Sequence, residues 1–198
     1  MKVKELVIVG SGSSLLGRGL GATIDSFENV LRFHEQLPYI REHQEDVGKK
    51  TTILAGNGNT QSLCRLSKRL SKKQRGVKKL ILVSNSNDPT DEIKSDKHGD
   101  RVLRFAEIWR LPVKLLGGTS VATDFNIKPT SGLVILLHML EKYDLLHLCG
   151  FNFLVGNNCH EHFYDSEPMK LGHDLVAETG IIKRIADKTG RINILGQT

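Results

Sequence analysis

The densest group of chemically active side chains lies at Cys159–Asp165, which carries a thiol, two imidazoles and two carboxylates. A zinc site built from Cys159, His162 and His173 is conceivable, because thiolate and imidazole are the ligands that zinc prefers. No paired C-x-x-C or H-E-x-x-H spacing supports it. Ordinary surface polarity is the other interpretation of this segment, and both stay open.

A further candidate for catalysis is His173, which stands five residues before Glu178. Five residues of α-helix turn through about 500°, so the two side chains point about 140° apart and form no couple on one face. His173 lies near the start of the predicted last helix, where the macrodipole disfavours an imidazolium. A neutral imidazole suits a general base, and Glu178 is expected to tie the helix to a neighbouring loop.

Two segments have the composition of anion-binding loops. An apolar run, Leu6–Val9, leads into Gly10–Ser14, where glycines and hydroxyls suit a phosphate. Leu15 replaces the third glycine of the dinucleotide fingerprint and the phosphate-loop lysine is missing, so a plain strand-to-helix turn is the alternative. The second segment is Pro129–Gly132, where Thr130 or Ser131 is a natural helix cap. A helix start of small residues also binds anions.

The remaining pattern predicts the elements that position these residues. Apolar, β-branched runs predict strands at Leu6–Val9, Val30–Phe33, Thr51–Ala55, Leu80–Ser84, Val113–Leu116, Leu145–Cys149 and Arg191–Leu195. Helical spacing predicts helices at Thr60–Arg75, Asp100–Arg110, Ser131–Lys142 and His173–Thr189. This alternation favours an α/β fold with a mostly parallel central sheet and helices on both faces. We expect one domain over residues 1–198.

Composition limits the class of protein and of partner. The 198 residues are 39% hydrophobic with a net charge of +6, which excludes wholesale disorder and predicts an anionic partner. No apolar stretch approaches the roughly 20 residues of a membrane span. The basic stretch Arg65–Lys79 is either a solvated helix face or an anionic docking surface, and Ser86–Gly99 is expected to be an exposed loop. Three cysteines suggest no disulfide framework and favour the cytoplasm.

Taken in order, four segments resemble the motifs of the eukaryotic-type sialyltransferases, glycosyltransferase family 29. Residues Val7–His34 and Glu45–Thr52 resemble the large sialylmotif, and Pro129–Phe151 resembles the small one. His162–Asp165 resembles the third motif, and the pair His173 and Glu178 matches the very small motif. Order and approximate spacing are kept. The chain is therefore similar to a short, anchor-less member of that family.

The resemblance implies a GT-A-like variant (Rossmann-like) fold and an enzyme that transfers a sugar acid from a CMP-activated donor, sialic acid or Kdo, to a glycan hydroxyl. It implies inversion, with His173 as the base and His162 at the donor phosphate. No metal or cofactor is expected, and no Asp-x-Asp pair occurs. The implied donor-binding residues are Gly10, Ser11, Gly12, Ser13, Arg32, His34, Thr130, Ser131, Gly132 and Tyr164. Asp165 and Glu178 would be structural supports.

The implied partners are the CMP-sugar donor and a glycan or glycolipid acceptor. Nucleic acid and a transmembrane segment are not expected, and peripheral membrane association is compatible with the basic charge.

Three departures from the family pattern stand out. Ser11 occupies the place of an asparagine that touches the nucleotide in the family, and His34 replaces a second donor-contacting asparagine. Tyr143 stands where the family has a disulfide cysteine, which again favours a cytoplasmic protein. The two active-site departures leave the identity of the sugar acid open and admit a catalytically inactive relative.

Two other functions stay open at this point. The glycine loop admits another nucleotide-binding α/β enzyme, such as a nicotinamide or methyl-donor enzyme. The basic charge admits a non-catalytic module that binds nucleotide or nucleic acid. Aromatic residues make up only 6% of the chain and do not alternate with the basic run, so base stacking has little support.

Overall fold

The computed structural model describes residues 2–57, 76–84, 101–104, 129–152, 162–164 and 175–196. Within these ranges, seven strands form one sheet in which the assigned strand pairs are all parallel. The strands are β1 (Glu5–Val9), β2 (Val30–Phe33), β3 (Ile53–Asn57), β4 (Lys79–Ser84), β5 (Arg101–Arg104), β6 (Leu145–Cys149) and β7 (Ile192–Ile194). The predicted α/β class and parallel sheet are confirmed.

The strand order is β5-β4-β3-β2-β1-β6-β7. The first strand is therefore central, with β2 on one side and β6 on the other. Val9 is paired with Arg32 and with Cys149, so β1 and β6 end at the same height and β2 ends one residue further on. Because the strands are parallel, the segments that follow them meet at one edge of the sheet.

Helices cover both faces of this sheet. On one face lie α1 (Gly21–Ser26) and α2 (Gln44–Val47), which pack on Val7, Val9 and Val30. On the other face lie α3 (Ser131–Leu140) and α4 (Leu175–Thr189), which pack on Leu6, Ile8 and Leu31. We call these the α1/α2 face and the α3/α4 face. Alternate residues of β1 thus fill two separate hydrophobic clusters.

The structure corrects one helix prediction and adds two helices. Residues Arg101–Arg104, which we placed in a helix over Asp100–Arg110, form strand β5 and pair with Ile81–Ser84 of β4. The exposed edge of β4 supplies backbone partners that override a local helical pattern. Helices α1 and α2 were not predicted from the sequence. They have six and four residues, too few to show a helical period.

Several predictions fall outside the described residues: the helix at Thr60–Arg75, the strand at Val113–Leu116 and the loop at Ser86–Gly99. The division into one domain stays a prediction. In the ranges given above, no helix combines the length and the apolar character that crossing a bilayer requires.

Candidate functional site

The candidate site lies where β1 and β6 end side by side. From β1 the chain passes through α1, on one face, to β2 on one side of it, whereas β6 lies on the other side of β1 and the next helix among the described residues, α4, lies on the opposite face. Neighbouring parallel strands whose following helices diverge leave a crevice at their carboxyl ends, and this is where open α/β sheets bind ligands. Residues Gly10–Ser14 and Gly150–Asn152 border this crevice.

Two glycines allow the segments after β1 and β6 to cross in contact. The N–H of Gly10 donates to Cys149 O at 2.8 Å, and the N–H of Gly12 donates to Gly150 O at 2.7 Å. A Cβ on Gly10 would lie 2.3 Å from Gly150 O, and one on Gly12 would lie 2.1 Å from the Oδ1 of Asn152. The backbone crossing alone therefore requires glycine at both positions, before any ligand is considered.

Asn152 holds the two serines that follow. Its Oδ1 accepts from the N–H of Ser14 at 2.9 Å, and its Nδ2 donates to the Oγ of Ser13 at 3.3 Å. Asn152 is buried, whereas both serines are half-buried. Sequence reasoning missed this residue. Its position three residues after the end of β6, at the edge where ligands bind, is the signal that could have identified it.

Ser11 is fixed by a second residue that sequence reasoning missed. The Nε2 of Gln36 donates to Val9 O at 2.8 Å and to the Oγ of Ser11 at 3.1 Å. Gln36 has no exposed surface and lies in the short 3-10 turn His34–Gln36 that follows β2. The end of β2 therefore orients a side chain in the loop after β1.

The residues of the third motif lie directly against this loop. Gly12 and His162 form an antiparallel bridge, and the N–H of Phe163 donates to Ser11 O at 2.8 Å. The ring of Tyr164 stacks on that of His162 with 5.0 Å between centroids and on that of Tyr39 with 4.7 Å. The structure thus places His162 and Tyr164 beside Ser11 and Gly12, 150 residues apart in sequence.

The first turn of α3 is capped and tied to α4. The Oγ1 of Thr130 accepts from the N–H of Leu133 at 3.1 Å, which confirms the predicted cap. The carboxylate of Glu178 in turn accepts from the N–H of Thr130 at 2.5 Å and from its hydroxyl at 2.7 Å. Glu178 has no exposed surface. It joins the start of α4 to the start of α3, as a structural support would.

The start of α3 also faces the carboxyl edge of the sheet. A Cβ on Gly132 would lie 3.5 Å from the ring of Phe151, which follows β6, and 4.0 Å from that of Phe33 at the end of β2. The cap uses the N–H of Leu133, and helix geometry leaves the N–H groups of Ser131 and Gly132 without an intrahelical acceptor. These amides and the positive end of the helix dipole suit an anion.

The structure gives Arg32 a structural task in place of the donor contact that we predicted. Its side chain has no exposed surface and lies on the α1/α2 face of β2. The Nε donates to Lys50 O at 2.9 Å and an Nη to Val47 O at 2.5 Å. Burial lowers the pKa of Arg32 from its ordinary value to about 10. Arg32 therefore holds the turn after α2, beneath the surface that a donor could reach.

His34 is buried between the ends of β2 and β3. Its Nδ1 lies 3.1 Å from the carboxylate of Glu35, and a Cβ on Gly56 would lie 2.4 Å from the same nitrogen. The imidazole is 1% exposed, so it contributes little surface to a ligand in this conformation.

Three residues of the sequence hypotheses, Cys159, Asp165 and His173, lie outside the described residues. The zinc hypothesis and the two roles assigned to Asp165 and His173 therefore stay predictions. Among the described side chains, no cluster of three or more His, Cys, Asp or Glu could hold a metal ion.

Comparison with known proteins supports the family resemblance. Residues 2–91 match the family model of glycosyltransferase family 29 (sialyltransferase). The chain is sialyltransferase-like. The match covers a little less than half of the chain, and the CMP-sugar-dependent activity stays a proposal. A search of curated proteins found no match.

Solved sialyltransferases share the fold of this chain. A mammalian sialyltransferase in complex with Gal-beta-1-3GalNAc-ortho-nitrophenol is 20% identical with a TM-score of 0.64, over 99% of this chain and 70% of that one. CstII from Campylobacter jejuni in complex with cytidine-5'-monophosphate is 15% identical with a TM-score of 0.59, over 98% and 81% of the two chains. The predicted Rossmann-like fold is confirmed.

Proposed function

We propose that this sialyltransferase-like protein transfers a sugar acid from its CMP-activated form to a glycan hydroxyl, with inversion and without a metal ion. Sialic acid is the first candidate and Kdo the second. One observation carries the proposal: the bridge between Gly12 and His162 brings the third motif onto the glycine loop of the large motif. That loop lies at the switch point of the sheet, where a nucleotide is expected.

The convergence of the motifs suits a CMP donor in particular. The start of α3, which carries the small motif, borders the same edge through Gly132, Phe33 and Phe151. Half-buried hydroxyls, helix-start amides and an imidazole are donors that can neutralise the phosphate as it leaves. CstII has also been solved with a trisaccharide acceptor and CMP, at 16% identity and a TM-score of 0.60 over 97% of this chain.

In the proposed reaction, His173 removes the proton of the acceptor hydroxyl as the acceptor oxygen attacks the anomeric carbon. The bond from that carbon to the phosphate oxygen breaks, and CMP leaves with both electrons of the bond. His162 and the amides at the start of α3 stabilise the growing charge on the phosphate. Glu178 supports this arrangement by holding α4, which begins two residues after His173, against Thr130.

The proposed location is the cytoplasm, with association at a membrane surface through the excess of basic residues. The thiol of Cys149 is free and buried. Tyr143 is largely buried beneath Lys4, whose Nζ lies 4.6 Å from the centre of the ring. No disulfide can form at position 143, which is compatible with a reducing compartment.

The function is tested by measuring CMP release from CMP-sialic acid and CMP-Kdo with a panel of galactosides, in the presence of EDTA. We expect release that depends on the acceptor and a product whose anomeric configuration by NMR is opposite to that of the donor. Activity only after addition of a divalent metal would refute the metal-free reaction. Binding of NAD, S-adenosylmethionine or oligonucleotide in place of CMP would refute the function.

The role of His173 is tested by His173→Ala. Loss of a general base typically lowers a rate by about 10²–10⁴-fold, so we expect transfer to fall by that factor while CMP binding, measured by calorimetry, is kept. Val176→Ala is the matched control, because Val176 lies three residues further on and is 85% exposed. Transfer at the unmodified rate in His173→Ala would rule out the base.

A further inference from the structure

The orientation of the Gln36 amide is determined by its partners. Val9 O is a backbone carbonyl and can only accept a hydrogen bond. The atom that lies 2.8 Å from it is therefore the NH₂ group of Gln36. The Oε1 of Gln36 has no hydrogen-bond partner among the described residues. Both assigned hydrogen bonds of this buried amide are thus donated towards the loop after β1.

This orientation fixes the direction of the hydrogen bond to Ser11. The NH₂ group carries two hydrogens and no acceptor, so the Oγ of Ser11, 3.1 Å away, must accept. A serine hydroxyl has one hydrogen of its own. Because Gln36 uses a lone pair of this oxygen, the hydroxyl hydrogen must point away from Gln36.

The backbone of Ser11 is held as firmly as its side chain. Its carbonyl accepts from the N–H of Phe163 at 2.8 Å, and the next residue, Gly12, is bound to Gly150 O at 2.7 Å. Ser11 is half-buried, whereas Gln36 is completely buried behind it. The hydroxyl is therefore presented from a fixed backbone at the mouth of the crevice.

We propose that Gln36 is a positioning residue for CMP binding, which makes the Ser11 hydroxyl a hydrogen-bond donor to an acceptor oxygen of the nucleotide. The proposal rests on the proposed function, because the nucleotide is the CMP part of the donor. Gln36 itself does not touch the ligand. Gln36 acts by donating a hydrogen bond to the Oγ of Ser11. This contact keeps the hydroxyl hydrogen pointing away from Gln36 and available to the nucleotide.

Calorimetric titration with CMP tests this with four variants: Ser11→Ala, Gln36→Met, the double variant and Gln44→Met. One hydrogen bond to a ligand corresponds to a change of about 2- to 10-fold in affinity. We expect Ser11→Ala to weaken CMP binding by about 5-fold and Gln36→Met by about 3-fold. The double variant should bind CMP as Ser11→Ala does, because Gln36 keeps only its hydrogen bond to Val9 O once the hydroxyl is gone and no longer affects the nucleotide.

The double variant distinguishes a role of Gln36 in positioning the Ser11 hydroxyl from a general role in supporting the loop after β1. If Gln36 only held the loop together, its loss would weaken binding further in the Ser11→Ala background, and an additive double variant would overturn the proposal. Gln44→Met is the matched control, since Gln44 is an exposed glutamine on α2, and should bind like the unmodified protein. Gln36→Leu replaces Gln36→Met where thermal unfolding shows that the methionine variant does not fold.

The first titration also distinguishes the two proposals. No CMP binding by the unmodified protein would refute the proposed function. CMP binding that is equally tight in Gln36→Met would overturn the role of Gln36 alone.

Discussion

The two faces of the sheet hold their helices by different means. On the α3/α4 face, every residue of α3 from Leu133 to Leu140 is buried, and all but His138 belong to one hydrophobic cluster. On the α1/α2 face, the short helices and their turns are held largely by charged side chains that bind backbone groups. Asp25 accepts from the N–H groups of Lys49 and Lys50 at 2.9 and 2.8 Å.

Asp46 and Arg32 extend this pattern on the α1/α2 face. Asp46 accepts from Gly17 and Gly19 at 2.9 and 2.8 Å, and Arg32 donates to the carbonyls of Val47 and Lys50. The comparison shows that apolar packing predominates along the long helices, where Glu178 adds one polar tie at their starts, whereas the short segments near the site depend more on individual polar contacts. A buried apolar side chain can be replaced by another of similar volume at little cost in stability. A hydrogen bond, in contrast, is lost when either partner is replaced by an apolar residue.

The largest expected difference in stability is between two variants in which a buried residue is replaced by methionine, one on each face. Arg32→Met keeps most of the side-chain length but leaves the carbonyls of Val47 and Lys50 without their donors. We expect a loss of about 2–4 kcal/mol in the free energy of unfolding, measured with urea. Leu136→Met, at an equally buried position of α3, should lose less than about 1.5 kcal/mol. Equal losses would remove the distinction between the faces.

A smaller effect is expected from Cys149, which lies on the α1/α2 face close to Arg32. Burial raises the pKa of this thiol from 9.0 to about 12, although the Arg32 cation acts in the opposite direction. As the pH rises, the thiol therefore loses its proton in the unfolded chain before it does so in the folded protein. The contribution of the protonated thiol to the free energy of unfolding is complete below pH 9 and falls as the pH rises towards 12. The expected loss is about 1.4 kcal/mol per pH unit above 9.

The check is the difference in urea stability between the unmodified protein and Cys149→Ala, because other groups titrate in the same range. This difference should shrink between pH 8 and pH 10. A difference that stays constant across this range would show that the thiol does not titrate as described.

The smallest effect is expected at Asp46, which is only partly buried. The pKa of Asp46 lies below 3.8, and the hydrogen bond from the N–H of Gly19 is the largest cause of this lowering. Asp46→Asn should cost about 0.5–1.5 kcal/mol near pH 7, the value of a typical hydrogen bond. Because the folded pKa is lowered, the stabilisation by the carboxylate is lost as the pH falls through that pKa, and the two proteins should converge in acid.

Amide hydrogen exchange gives a local measurement of the same contact. The N–H groups of Gly17 and Gly19 should exchange faster in Asp46→Asn, while those of α3 are unchanged. Faster exchange in α3 as well would mean that the two faces are not held independently.

The bounds of an element could be predicted from the sequence where the element is a continuous run of buried apolar residues. Strands β2 and β6 begin and end where their apolar runs predict, and α3 ends within two residues of its prediction. The cap at Thr130 was also predicted, because its signal is local. Short α1 and α2 were missed, and β5 was wrongly assigned to a helix because its partner is supplied by β4.

The candidate site was predictable only in its motifs. Arg32 was placed at the donor because the family motif contains it, and its burial follows from the strand alternation that turns it towards the α1/α2 face. Gln36 and Asn152 carry no motif. Their partners, Ser11 and Ser14, lie 25 and 138 residues away in the chain, so only the folded structure brings them together.

The crossing of the segments after β1 and β6 has a consequence for how this site can change. A single added methyl group at Gly10 or Gly12 would collide with backbone or with Asn152, whereas Ser11 between them already carries a side chain. Among positions 10–12, variation is therefore confined to position 11, one of the places where the chain departs from the family pattern. An engineer who wishes to alter the choice of donor should randomise Ser11 together with Gln36 and leave both glycines untouched.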